Sequence, residues 1–169
     1  LTALTGIDGV PRPEDVSQNA LLMTPVCSRY KVVDRDSVSQ LLDVVKAVHD
    51  KGYVHRDIRP PNLLQTIDGV VMLADWGFAA AKDSTAKYVG TLYTASDAVL
   101  ASIESQRDHR NTASDDLHAL IRCIFCLLYP RQVGRLWAIA NSDVPCADRR
   151  RNWRLGRISH AAQQLVPRT

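Results

Sequence analysis

The sequence of 169 residues lacks any apolar run that approaches the ~20 residues needed to cross a bilayer, which excludes a membrane-spanning helix. It has only four cysteines, mostly in apolar surroundings, so we expect reduced thiols in an intracellular, cytoplasmic protein and no disulfide framework. No charged segment followed by an apolar one opens the chain, and residue 1 is Leu. We therefore expect no signal peptide and a start inside a longer gene product.

Lys and Glu are scarce, at 5 and 2 residues, beside 16 Arg and 16 Asp. The formal net charge of +3 is too mild to indicate nucleic acid as a partner. Arg residues concentrate in residues 149–157, where we expect a solvated basic face; a substrate-docking or nucleic-acid patch is the alternative. With 46% hydrophobic and 23% charged residues, the composition excludes a disordered tail and a low-complexity linker.

A first helix is predicted from apolar residues that recur every three or four positions. Asp36 or Ser37 would cap its start, and Gly52 would end it in a left-handed conformation. Before it, residues 20–26 predict a short buried strand closed by Pro25. The apolar positions of the helix are Val38, Leu41, Leu42, Val45 and Val48.

A hairpin is predicted next, because two apolar runs, residues 62–67 and 70–74, flank the turn sequence Asp68-Gly69. Residues 79–96 are small, polar and aperiodic, and indicate a surface loop.

A second helix follows, capped by Ser114 or Asp115 and ended by Pro130. The whole pattern predicts an α+β chain that is mostly helical with a small β-hairpin. The apolar positions of this helix are Leu117, Leu120, Ile121, Ile124 and Leu128. Cys123 and Cys126 share its apolar side, which favours buried thiols over metal ligands.

Two polar motifs bracket the hairpin and point to phosphoryl transfer. That reaction needs a carboxylate that orients a hydroxyl and accepts its proton, and Mg²⁺ takes oxygen ligands. Asp57 would be the base, and Asn62 and Asp75 would hold the metal, since the hairpin returns Asp75 beside Asn62. The motifs read His55-Arg56-Asp57-Ile58-Arg59-Pro60-Pro61-Asn62 and Asp75-Trp76-Gly77.

This set of motifs resembles the C-terminal lobe of a eukaryotic-type protein kinase over about two-thirds of the chain. Gly90-Thr91 resembles the segment that docks the substrate, and residues 95–97 stand where the family has Ala-Pro-Glu. Asp116 resembles the acid that supports the catalytic loop from the central helix. The residues within these motifs are similar to those of fungal-type and crinkler-like effector kinases. For an effector, a host cell or its nucleus is a further expected location of the protein.

The resemblance implies transfer of the γ-phosphate of ATP to Ser or Thr hydroxyls of a protein substrate, with ATP and Mg²⁺ as cofactors. It implies residual N-lobe strands at 1–22, a hinge at 23–27 and the C-lobe at 28–169. Within that lobe the catalytic loop is 55–62, the activation segment 75–97 and the central helix 116–129.

The resemblance also assigns roles to individual residues. Arg59 would lie beside the transferred phosphate, and three apolar residues, Met23, Val26 and Leu64, would contact the adenine. Arg56 would pair with a phosphate on the activation segment, for which Ser84, Thr85 and Tyr88 are the candidate acceptors. The remaining structural or regulatory positions are His55, Trp76, Gly77, Thr91, Asp97 and Asp116.

Four departures from the family pattern leave alternatives open. Arg59 replaces a Lys, Trp76 replaces a Phe, and Asp97 replaces a Glu whose Arg partner we expect in the Arg-rich tail. The N-lobe is expected to be largely missing, since the chain holds no G-x-G-x-x-G and no Lys before Lys31. One alternative is a pseudokinase or scaffold without catalysis. The other is an aminoglycoside-type phosphotransferase, which Asp-Trp-Gly favours and Gly90-Thr91 disfavours.

Overall fold

A computed structural model of the chain describes residues 2–17, 20–31 and 33–133. The chain divides into two compact units, Leu1–Leu128 and Tyr129–Thr169, and the elements given below belong to the first. The Arg-rich segment 149–157 and Cys146, for which we made predictions, lie outside the described residues.

Short strands and three helices make up the described part of the first unit. The helices are α1 (Arg35–Asp50), α2 (Asp97–Glu104) and α3 (Ala113–Leu128). The strands are β1 (Arg12–Val16), β2 (Leu21–Thr24), β3 (Cys27–Arg29), β4 (Tyr53–Val54), β5 (Leu63–Thr66), β6 (Val71–Leu73), β7 (Ala80–Ala81), β8 (Thr85–Ala86) and β9 (His109–Arg110). Single 3-10 turns lie at Thr2–Leu4, Pro60–Asn62 and Trp76–Phe78.

The start of α1 differs from the prediction. Asp34, not Asp36 or Ser37, is the N-cap: its Oδ1 accepts the N–H of Ser37 at 2.8 Å, and the N–H of Asp34 donates to Ser37 Oγ at 3.1 Å. This reciprocal capping box satisfies two backbone donors, whereas Asp36 lies inside the first turn. The predicted end is confirmed, because Gly52 has φ +84° and its N–H donates to His49 O at 3.0 Å.

The buried face of α1 is the i, i+3, i+4, i+7 row Leu41, Val44, Val45 and Val48. Leu42 was predicted on this face, but it is 45% exposed because it lies about 100° around the helix from Leu41.

The strands form small antiparallel sheets, of which the three-stranded sheet β3-β5-β6 is the largest described. The predicted hairpin is confirmed: Leu63 pairs with Leu73, and Gly69 takes φ +85° in the turn. The predicted strand near residue 20 exists as β2, which pairs with β1, but its predicted burial is wrong. Leu22 is 61% exposed, and every residue of its partner β1 is exposed.

The residues before β1 pack into the same core as α1. Leu4, Ile7 and Val10 are buried, and Gly9 O accepts the N–H of Leu73 at 2.8 Å. A Cβ at Gly9 would lie 2.1 Å from Val44 Cγ2, so the segment approaches α1 more closely than any other residue would permit.

The start of α3 also differs from the prediction of a cap at Ser114 or Asp115. The helix begins at Ala113, and the carboxylate of Asp115 reaches back to accept the N–H of Thr112 at 3.0 Å. No sequence pattern predicts α2, and residues 79–96, predicted as a loop, include β7 and β8. Among the described helices, none combines the length and the hydropathy that a bilayer crossing requires.

Candidate active site

Asp57 lies in the loop that follows β4, and only 1% of its surface is exposed. Its Oδ1 accepts the N–H of Thr91 at 2.9 Å, and its Oδ2 accepts Asn62 Nδ2 at 3.1 Å. Arg59 Nε lies 3.0 Å from the same Oδ2, an ion-pair distance, although its N–H is not aligned for a hydrogen bond. The structure thus gathers a carboxylate, a guanidinium and an amide in one cluster.

Asp116 on α3 holds the backbone at the start of this loop. Its carboxylate accepts the N–H of His55 at 2.7 Å and the N–H of Arg56 at 2.9 Å. His49 Nε2 on α1 lies 2.9 Å from the same carboxylate. A single acid, 2% exposed, therefore ties two helices to the loop that carries Asp57.

The imidazole of His55 is fully engaged in structural contacts. Its Nδ1 accepts the N–H of Asp57 at 3.1 Å, and its Nε2 therefore carries the proton that it donates to Ala74 O at 3.0 Å. The ring centroid lies 4.3 Å from that of Trp76. Burial lowers the pKa of His55 despite the opposing charge of Asp116, so the neutral ring is favoured.

Asp75, Trp76 and Gly77 follow β6 after a single residue, Ala74. Trp76 is buried and its Nε1–H donates to Leu73 O at 2.8 Å, which anchors the turn. Asp75 is exposed and left-handed, with φ 63°, and a Cβ at Gly77 would lie 3.4 Å from its Oδ1. The hairpin returns as expected, because Ala74 N–H donates to Asn62 O at 2.9 Å, one residue before Asp75.

Asn62 and Asp75 offer the oxygen ligands that Mg²⁺ takes. Asn62 Nδ2 donates to Asp57 O at 2.8 Å, an orientation that leaves the amide oxygen for a cation. Within the described ranges no cluster of three His, Cys, Asp or Glu side chains stands ready to hold a metal. Two protein oxygens nevertheless fit Mg²⁺, which keeps several waters and binds substrate phosphates.

The segment between β8 and α2 lies against this loop. Arg56 Nη2 donates to Lys87 O at 2.7 Å and Nη1 to Phe78 O at 3.4 Å, while Tyr88 Oη donates to Arg56 O at 3.0 Å. Tyr88 was considered only as a phosphate acceptor, and no sequence signal marked it as a contact of the loop.

Asp97 pairs with Arg122 of α3 at 2.7 Å between Oδ1 and Nη2, and Arg122 Nη1 also donates to Ala95 O. The Arg-rich tail, where the sequence predicts its Arg partner, lies outside the described residues. Ser96 Oγ donates to Asp115 at 2.5 Å, which brings the start of α2 against α3 and within reach of Arg122.

Of the three residues expected to contact adenine, only Val26 lines the large groove formed by the described residues. Val26 is 89% exposed and lines an open groove of about 1060 Å³ with residues of the N-terminal segment and the hairpin turn. Met23, which pairs with Pro13, and Leu64, which pairs with Arg29 and Met72, do not belong to the described lining of that groove.

Comparison with known proteins places this site in context. The sequence profile of the protein kinase domain matches residues 19–135. Mitogen-activated protein kinase kinase kinase 1 of Arabidopsis thaliana is 45% identical over 71 residues, which cover 39% of this chain and 11% of that protein. The probable serine/threonine-protein kinase PknB of Corynebacterium glutamicum is 29% identical over 76% of this chain and 17% of that protein.

Among solved structures, the kinase domain of a Toxoplasma gondii rhoptry antigen overlaps 50% of this chain and 26% of its own, with a TM-score of 0.45 and 20% identity. The matched part of the chain spans 7% to 11% of the length of the first four curated relatives.

Proposed function

The chain belongs to the protein kinase domain family, and on that premise we propose that it transfers the γ-phosphate of ATP to Ser or Thr hydroxyls of a protein substrate. The two curated relatives named above are described as protein kinases, and PknB as a probable serine/threonine-protein kinase, which supports the choice of acceptor.

The observation that carries the proposal is the set of contacts to Asp57. Thr91 N–H and Asn62 Nδ2 each donate to one of its carboxylate oxygens. A carboxylate oxygen has two lone pairs, so Oδ1 retains one for the proton of a substrate hydroxyl. Orientation of a base by fixed donors is what general base catalysis requires.

The other residues take complementary roles in this proposal. Arg59, 3.0 Å from Asp57, would place positive charge beside the transferred phosphate, although a planar guanidinium differs from an ammonium in geometry. Asn62 and Asp75 would hold Mg²⁺, which neutralises charge on the phosphates. Met23, Val26 and Leu64 are proposed to contact the adenine, with 23–27 as the hinge and 28–169 as the C-lobe.

A substrate screen distinguishes this function from its alternatives. We expect Mg²⁺-ATP to support phosphorylation of Ser or Thr peptides, and not of Tyr peptides or aminoglycosides. Transfer to an aminoglycoside alone would identify a small-molecule phosphotransferase. Absence of any transfer by the longest natural protein that contains this chain would favour the pseudokinase, for which binding of Mg²⁺-ATP is the second readout.

A weaker activity is expected of residues 1–169 alone. Their sequence holds no G-x-G-x-x-G loop to cover the phosphates, so we expect poor transfer by this chain in isolation. Robust transfer that Asp57→Ala abolishes would overturn this expectation.

Loop phosphorylation is the proposed regulation. Arg56 Nε is buried without a hydrogen-bond partner, and a phosphate on Ser84 or Thr85 would offer it an acceptor. Unchanged activity after Ser84→Ala and Thr85→Ala together would contradict this proposal.

A further inference from the structure

We infer that Tyr88 is a positioning residue for Asp57, through a clamp on the peptide bond that joins Arg56 to Asp57. This inference rests on the proposed function only for its effect on catalysis.

The peptide between Arg56 and Asp57 is held at both of its polar atoms. Its N–H, on Asp57, donates to His55 Nδ1 at 3.1 Å, and its carbonyl, on Arg56, accepts the hydroxyl of Tyr88 at 3.0 Å. Because the peptide unit is planar, holding both atoms fixes the position of the Asp57 Cα, from which the side chain extends to the Thr91 N–H.

Arg56 needs such a clamp because its backbone is left-handed, with φ 71°. This region is disfavoured for a residue with a Cβ and persists where surrounding contacts impose it. In the peptide group before Arg56, the N–H of Arg56 donates to Asp116 at 2.9 Å. Asp116 and Tyr88 therefore hold the two peptide groups that flank Arg56.

Gly90 shows how closely the clamp is packed. A Cβ at this position would lie 2.0 Å from Arg56 O and 2.4 Å from Tyr88 Oη. Only a glycine therefore permits the backbone to pass over the hydrogen bond between the tyrosine and the carbonyl. The next residue, Thr91, then donates its N–H to Asp57 Oδ1 at 2.9 Å.

The hydroxyl of Tyr88 is a donor and not a free acceptor of phosphate in this arrangement. It has one proton, shared between Arg56 O at 3.0 Å and Thr91 O at 3.3 Å. Burial, reinforced by the charges of Asp57 and Asp116, raises the pKa of Tyr88, so the proton stays on the hydroxyl.

The test is Tyr88→Phe, which removes only the hydroxyl. Its matched control is Tyr30→Phe, which likewise removes a hydrogen-bonded tyrosine hydroxyl, that of buried Tyr30, bonded to Ser37 Oγ at 2.6 Å at the start of α1. Amide hydrogen exchange of the chain is measured by NMR. We expect exchange at Asp57 and Thr91 to rise about tenfold or more in Tyr88→Phe relative to the amides of Val44 and Val45, and to stay unchanged in Tyr30→Phe.

Kinetics of the active protein supply the second readout. We expect Tyr88→Phe to lower kcat about tenfold or more at unchanged KM for ATP, since small misplacement of a reacting group is costly. Equal exchange in the two variants would overturn the inference, and so would a raised kcat, which would make the contact inhibitory. If the wild-type protein transfers no phosphate, the proposed function fails while the exchange experiment still decides the role of Tyr88.

Discussion

Two sides of the first unit are built in opposite ways: the one around Asp57, proposed to bind the substrate hydroxyl (the hydroxyl side), and the one at β1, β2 and Val26, proposed to bind the nucleotide (the nucleotide side). On the hydroxyl side, Asp57 and Asp116 are 1% and 2% exposed, and both are held by several hydrogen bonds. On the nucleotide side, β1 is exposed throughout and Val26 is 89% exposed. The fixed geometry of the hydroxyl side is thus supplied by hydrogen bonds between residues of this chain.

This difference in burial bears on two separate requirements of the proposed function, orientation of a base and enclosure of a nucleotide. Orientation of a base requires rigid neighbours, which the loop, α3 and the segment from Lys87 to Thr91 supply. Enclosure of a nucleotide requires a covered concave surface, and the described residues of β1 and β2 do not provide one. We therefore expect substitutions on the hydroxyl side to affect stability far more than those on the nucleotide side.

The largest expected effect is that of Asp116→Ala. It leaves two backbone donors, those of buried His55 and half-buried Arg56, without their acceptor, and we expect a loss of about 3 kcal/mol in the free energy of unfolding. Urea denaturation measures it. Leu22→Ser on exposed β2 and Asp108→Ala on an exposed turn are the controls, each expected to change stability by less than about 0.5 kcal/mol. Equal losses in the free energy of unfolding for Asp116→Ala and for Leu22→Ser would contradict the expected difference between the hydroxyl side and the nucleotide side.

Gly9→Ala tests whether the residues before β1 belong to the core. Gly9 has φ +81°, and the new Cβ would lie 2.1 Å from Val44 Cγ2, so we expect a loss of about 2–3 kcal/mol from strain and overpacking together. Gly6→Ala is the matched control, since Gly6 has φ +87° with no atom within 4 Å of the added Cβ. We expect about 1–2 kcal/mol there, from backbone strain alone. Identical losses in thermal or urea unfolding would contradict the close packing against α1.

A pH dependence sharpens the description of the hydroxyl side. Burial lowers the pKa of His55, so the unfolded chain binds more protons than the folded one below the ordinary His pKa of about 6.5. Stability is therefore full above that pH and falls as the pH drops toward the folded pKa, by at most about 1.4 kcal/mol per pH unit. Urea midpoints between pH 7.5 and 5.5 should fall more steeply in the wild type than in His55→Gln. Parallel curves would refute this.

The smallest expected effect is on the Asp97–Arg122 pair, because the Asp97 side chain is 77% exposed. Asp97→Asn should cost about 0–1 kcal/mol and less at high salt. Arg122→Ala should cost more, since it also removes the donor to Ala95 O. A loss for Asp97→Asn as large as that for Arg122→Ala would contradict this, because it would leave no contribution for the bond to Ala95 O.

Features set by neighbours along the chain could be predicted from the sequence. The helical period of α1, its end at Gly52 and the hairpin turn at Asp68-Gly69 are examples, because local geometry decides each of them. Caps were misplaced by two or three residues, since Asp34 and Asp36 are both suitable cap residues and only the backbone selects between them.

Features that depend on contacts distant in sequence could not be predicted. The exposure of β2 depends on what packs over it, and Arg122 reaches Asp97 across 25 residues. Tyr88 lies 32 residues from Arg56, and a tyrosine in a polar loop carries no local signal of that bond. The residues that make up the polar cluster around Asp57 were named from motifs, while their contacts became visible only in three dimensions.

The most direct test of Asp57 as the base is phosphate transfer by Asp57→Asn in the longest natural protein that contains this chain. The substitution keeps the size of the side chain and removes its capacity to accept a proton. We predict a fall in kcat of about 10²–10⁴-fold toward Ser or Thr peptides at unchanged KM for ATP, with Asp108→Asn like the wild type. Transfer by Asp57→Asn at a rate close to that of the wild type would contradict the assignment.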